Sequence, residues 1–145
     1  MTKKLSTLLI ANRGEIALRV QRTAHQMGLR TVAVFSDADA DALFVRRAHV
    51  AFRLGGSESK DSYLRIDRIL EAAQKTGADA IHPGFGFLAE NDLFAQAVLD
   101  SGRTVLTLED ALVSGRADSS DAMVRLYKAL GGGWAAAPDN ERNTR

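Results

Sequence analysis

The chain has 145 residues, enough for one ordinary domain that buries roughly 70% of the surface its unfolded form exposes. Its 46% hydrophobic and 26% charged content suits a globular protein, and a net charge of +1 supplies no basic field for nucleic acid or an acidic membrane surface. Without cysteine, disulfides, thiolate nucleophiles and cysteine-ligated zinc are excluded, in keeping with a cytoplasmic location.

Leu5 to Ala11 is an apolar run shorter than a signal-peptide core and without a small-residue cleavage pattern. It reads as a first strand closed by Asn12-Arg13-Gly14. From Gly14 onward, Ile16, Ala17, Val20, Ala24 and Met27 share one helical face, Arg19, Arg22 and Gln26 lie on another, and Gly28 is the stop. Arg30 to Phe35 predicts a second strand, Ala42 to Arg47 a short helical turn, and Val50 to Leu54 a weak third strand before the polar loop Gly55-Gly56-Ser57. Ile66, Ile69, Leu70 and Ala73 mark an amphipathic helix ending at Gly77; Ala78 to His82 follows as a strand, and Asn91 to Ser101 as a helix capped by Asn91. Thr104-Val105-Leu106 can supply one more strand, and no window approaches the ~20 apolar residues of a membrane helix. Strands spaced by such helices predict an α/β fold, a Rossmann-like parallel sheet with helices on both faces, over residues 1–106.

Beyond it, Thr107 with Asp110 opens like a capping box, and Leu108, Leu112, Gly115, Ser119, Ala122, Leu126 and Leu130 recur every three or four residues. That pattern predicts one long amphipathic helix over 107–133, of a type unrelated to the domain before it. Gly131-Gly132-Gly133 reads as a helix stop and linker, since no strand precedes it and no Lys-Ser/Thr follows as in a phosphate loop. Residues 134–145 read as a disordered tail: Ala135 to Arg145 is polar and carries Pro138.

In a parallel sheet, ligands gather at the carboxyl ends of the strands. The loop Asn12-Arg13-Gly14-Glu15 stands where a dinucleotide fold carries G-x-G-x-x-G, yet it has one glycine, and Arg13 and Glu15 obstruct a pyrophosphate. Asp37, near the place of the ribose-binding acid, reads better as a turn or cap residue. Asp37-Ala38-Asp39-Ala40-Asp41 fails as a calcium loop, because Ala42 and Ala48 stand where Gly and Glu are needed; the acids are expected as helix-start residues. His25, His49 and His82 lack metal-ligand spacing, and the first two read as structural. In His82-Pro83-Gly84-Phe85-Gly86-Phe87, proline and two glycines define a rigid loop from which Phe85 and Phe87 are expected to project. Aromatics so held either stack on a flat ligand or plug the end of the sheet, and chemistry alone favours the plug.

Ile10 to Glu15 (IANRGE), Ala80 to Asn91 (AIHPGFGFLAEN), and Ser62-Tyr63-Leu64 with Ile66-Asp67 resemble the biotin carboxylase family, from about Lys4 to about Ala97. The resemblance implies the domain that precedes ATP-grasp, in a family that spends ATP and magnesium to activate bicarbonate and then carboxylates biotin on a carrier domain. It places His82, Phe85, Gly86 and Phe87 on the loop bordering the biotin pocket, with Phe85 where the family most often has tyrosine. It places Arg19 and Arg22 on a helix of the dimer interface, with Gln26 replacing an acidic residue, and Arg65 where an asparagine commonly caps the next helix. No ATP-grasp positions follow, so the chain by itself is expected to be inactive and to bind none of the family's cofactors. Its implied partners are a second copy or an intact carboxylase. Leu126 to Trp134 resembles the last helix of outer-membrane efflux lipoproteins, and a lone helix of that kind implies no transport function. Three functions follow in rank: a truncated carboxylase domain, an interaction protein docking on an intact carboxylase through Arg19 and Arg22, and a small nucleotide-binding module using the Asn12 loop and Asp37.

Overall fold

The computed structural model describes residues 4–106. Within them, strands β1 (Thr7–Ile10), β2 (Arg30–Ser36), β3 (Val50–Gly55), β4 (Ala80–His82) and β5 (Thr104–Val105) are interleaved with helices α1 (Gly14–Gln26), α2 (Leu43–Arg47), α3 (Ile66–Thr76) and α4 (Asp92–Asp100). Every neighbouring pair is parallel, in the order β3-β2-β1-β4-β5. This is the Rossmann-like α/β sheet expected from the spacing of strand and helix patterns.

Successive strand residues face opposite ways, so each buried strand feeds two cores. Leu8 and Ile10 of β1 join Ala33 and Ala80 beneath Ala17, Val20 and Ala24 of α1 and Phe44 of α2. Leu9 of β1 joins Val32, Val34 and Ile81 beneath Ile69, Ala72 and Ala73 of α3 and Phe94 and Val98 of α4. Because both faces are covered, β1 reads as continuous apolar sequence rather than as an alternation. Gln21, inside the polar half of the α1 pattern, is buried and donates to the Phe44 carbonyl at 2.6 Å, tying α1 to α2.

Two strand starts lie later than the apolar runs suggested. Ser6 N–H, Ser6 Oγ and Thr7 N–H donate to the Asp79 carboxylate at 3.1, 2.6 and 2.9 Å, so a side chain takes the N–H groups entering β1, while the Ser6 carbonyl accepts from Arg30 N–H at 2.9 Å on the β2 side. Ala78 N–H still donates to the Ala73 carbonyl at 3.0 Å and belongs to the end of α3. Gly28, at φ 76°, closes α1 with Leu29 N–H donating to the Ala24 carbonyl at 2.9 Å, the left-handed stop expected there. No helix among the described residues is long and apolar enough to cross a membrane. The long helix expected over 107–133, its efflux-lipoprotein likeness and the disordered tail over 134–145 lie outside the described residues.

A candidate site at the reversal of strand order

From β1 the chain builds outward to β2 and β3, then returns to the other side of β1 for β4 and β5. The loops leaving β1 and β4 therefore diverge over the carboxyl ends of two adjacent strands, where doubly wound folds place ligands. Asn12 fills this crevice. Buried, it donates through Nδ2 to the carbonyls of Pro83 at 2.9 Å and Phe85 at 2.8 Å, and its Oδ1 accepts from Arg13 N–H at 2.8 Å. Gly84 passes so close that a Cβ there would stand 2.8 Å from both Asn12 Nδ2 and Ile16 Cγ2, and its φ is +68°. Glycine is required at this position on both counts.

His82 ends β4 buried, and its Nδ1 accepts from Gly84 N–H at 3.0 Å, which assigns the ring proton to Nε2. Burial pulls its pKa down to about 4, so the ring is neutral at ordinary pH and serves as a turn acceptor. The two phenylalanines part company. Phe85 is 67% exposed. Phe87 instead turns inward and stacks on Tyr63, ring centroids 5.1 Å apart and planes 18° from parallel. The expectation that both rings project is corrected for Phe87, because Tyr63 offers it an apolar face against the core. Phe87 thus packs at the sheet end and Phe85 faces outward.

Arg13 forks onto Asp39, Nε to Oδ2 at 2.7 Å and a terminal nitrogen to Oδ1 at 2.6 Å. Asp39 Oδ2 also accepts from Tyr63 OH at 2.5 Å, and Tyr63 OH accepts from Ser36 N–H at 3.2 Å. The Arg13 guanidinium holds the Asp39 carboxyl below its usual range despite burial, while burial and the bond to Asp39 push Tyr63 up to about 12. Asp37 and Asp39 stand in the first turn of a short 3-10 helix, the helix-start placement expected of them, and their carboxylates are in addition taken up by arginines. Asp39 is the centre of a polar network, and Asp37 pairs on the surface with Arg53 at 2.6 and 2.8 Å. Neither caps with its side chain the short 3-10 turn Asp37–Asp39 that contains them. The two groups a nucleotide reading needs, the Arg13 loop and Asp37, are engaged by the protein itself.

The remaining candidates lie elsewhere. Glu15, Arg19, Arg22 and Gln26 are exposed on the outward face of α1, where Glu15 and Arg19 pair at 3.1 Å. Gly14 opens that helix, and Gly86 is exposed in the loop beside Phe85. His25 and His49 meet edge-to-face at 4.9 Å around the Thr31 hydroxyl. Among the described residues no three or more His, Asp or Glu side chains gather as a metal-ligand group. Tyr63, Asp39 and Ser36 form a unit that the sequence does not single out. The available signal was that Arg13 and Asp39 both follow strands that become neighbours.

In this doubly wound domain Asn12 is buried between the loops leaving β1 and β4, and Phe85 is exposed beside them. The family model for the N-terminal domain of biotin carboxylase matches residues 4–107, and the chain belongs to that family. It is 44% identical over 124 residues to a pyruvate carboxylase subunit of Methanothermobacter thermautotrophicus, covering 86% of this chain and 25% of the relative. Biotin carboxylase 1 of Bacillus subtilis is 56% identical over 92 residues, 63% of this chain and 20% of the relative. A crystal structure of a biotin carboxylase complex with β,γ-ATP from Campylobacter jejuni superposes with a TM-score of 0.69 at 43% identity, covering 71% of this chain and 23% of that one. The chain thus spans about a quarter or less of the length of these proteins. The family match runs ten residues past the expected end at Ala97, and an alignment of 124 residues cannot fit within the first 107.

Proposed function

We propose that this domain frames the biotin-facing side of an ATP-dependent carboxylation centre and that the polypeptide alone turns over no ATP. The carrying observation is Phe85: a mostly exposed ring on a loop fixed from below by Asn12 and His82, at the crevice where this fold binds ligands. A flat, weakly polar ring such as the ureido ring of biotin suits such a surface. The names of relatives such as biotin carboxylase 1 of Bacillus subtilis point to the same chemistry, carboxylation with biotin. Phenylalanine retains stacking and forgoes any hydrogen bond a hydroxyl would make. ATP, magnesium and bicarbonate belong in this reading to parts of a carboxylase other than the described residues.

Partners follow from the same reading. They are a carrier domain presenting biotin, and a second copy or an intact carboxylase seated on the outward face of α1, where Arg19 and Arg22 supply charge and Gln26 supplies none. A cytoplasmic setting fits these partners. The likeness of Leu126 to Trp134 to efflux lipoproteins adds no proposed transport activity. Titrating isotope-labelled protein with a large excess of free biotin tests the reading. The Phe85 ring signals should shift, and the same titration of Phe85→Ala should leave the neighbouring loop signals unmoved. Absence of any shift at Phe85 contradicts it.

A further inference from the structure

Four segments converge at the carboxyl edge of the sheet, and the side chain of Tyr63 reaches three of them from the fourth. Its hydroxyl donates to Asp39 at 2.5 Å and accepts from Ser36 N–H at 3.2 Å, both at the end of β2. Its ring lies 6.0 Å from the Arg13 guanidinium, after β1, and 5.1 Å from the ring of Phe87, after β4. We propose that Tyr63 is a positioning residue. Through its stack on Phe87 it holds the 83–87 loop in the conformation that presents Phe85, and the Arg13–Asp39 pair holds Tyr63 in turn. The inference rests on the biotin-facing reading of Phe85 and names what keeps that ring in place.

The loop needs such a tether. Its upstream half is fixed by the Asn12 amide on the Pro83 and Phe85 carbonyls. Its downstream half passes through Phe87 at φ 46°, the left-handed region that non-glycine residues avoid unless their surroundings impose it. The only aromatic partner Phe87 has among the described residues is Tyr63. The Tyr63 ring is in turn fixed by its hydroxyl, whose acceptor is a buried carboxylate already engaged by the Arg13 fork. Arg13 therefore reaches Phe85 through Asp39, Tyr63 and Phe87 without touching it. Because Tyr63 titrates far above neutrality, this donor is retained across the ordinary pH range.

Site-resolved amide hydrogen exchange on the full chain tests the proposal in Tyr63→Leu, Tyr63→Phe and Asp39→Asn. The reporters are Ala89 N–H, bonded to the Gly86 carbonyl, and Asn91 N–H, bonded to the Leu88 carbonyl, against core amides of β1 and α1. Tyr63→Leu should accelerate Ala89 and Asn91 about tenfold or more relative to the core. Tyr63→Phe, which restores the ring but not its hydroxyl bond to Asp39, should recover part of that protection and no more. Asp39→Asn leaves both aromatic rings intact and keeps the test open if Tyr63→Leu does not fold; it should accelerate the same two amides. Loop exchange that is unchanged, or that rises only in step with the core, overturns the proposal, since a merely structural Tyr63 would loosen everything alike. Free biotin added to the wild type separates the two claims. Loop effects as expected with no biotin shift at Phe85 would retain Tyr63 as the tether and discard the biotin reading.

Discussion

At the scale of single residues, His82 makes the stability of the domain depend on acid. The unfolded chain takes up its proton near the ordinary value of 6.5, and the folded protein only at about 4. A base with a lowered folded pKa leaves stability complete above the higher value and removes it as pH falls toward the lower one. The loss through this window is about 3 kcal/mol. Urea unfolding of wild type and His82→Asn should show a stability gap that narrows by about 2 to 3 kcal/mol between about pH 7.5 and about pH 4.5; a constant gap would remove His82 from the explanation. Asp39 acts in the same direction at lower pH, because a carboxyl held below its ordinary 3.8 loses its contribution only as pH falls through that region. What was legible at this scale had a signature within a few residues: the Pro-Gly loop, Asn91 as a cap, and Phe85 as a projecting ring. The Arg13–Asp39 and Asp39–Tyr63 bonds span 26 and 24 residues, and no local pattern encodes them. The acids of the Asp37–Asp41 run look alike in sequence, and only the order of the strands decides which of them meets Arg13.

At the scale of elements, α3 begins on an uncapped turn. Arg65 holds the N-cap position with extended backbone and makes no side-chain bond to the first turn; its guanidinium forks instead onto exposed Asp67 at 2.9 and 2.6 Å. Arg65→Asn should supply the missing acceptor and stabilise the protein by about 1 kcal/mol, less a few tenths for the surface pair it gives up. Thermal unfolding should then show Tm rising by several degrees, about 4 to 8 °C per kcal/mol in a domain of this size. An unchanged or lower Tm would mean that Arg65 contributes more through Asp67 than a cap would. Element types were largely legible, because the stripes of α1 and α3 and the buried runs of β1 and β2 repeat with distinct periods. The starts of β1 and β4 were not. Leu5, Ser6, Ala78 and Asp79 continue their runs in sequence, yet the Asp79 carboxylate takes the N–H groups of Ser6 and Thr7, and Ala78 N–H still bonds the end of α3.

For the whole molecule, the sheet order decides where chemistry can happen, and it brings Asn12, His82 and Phe85 together from segments about seventy residues apart. The same strand ends carry the Arg13–Asp39 pair, and under the proposed reading the exposed Phe85 ring beside it is the surface for biotin. The family likeness made the fold legible, whereas the different placements of Phe85 and Phe87 had to await the packing of Tyr63. The most direct measurement is release of ADP by the purified polypeptide supplied with ATP, magnesium, bicarbonate and free biotin. Release no faster than in a blank without protein is the expected result. Bicarbonate-dependent ADP formation that co-purifies with the chain and accompanies carboxybiotin would contradict the account.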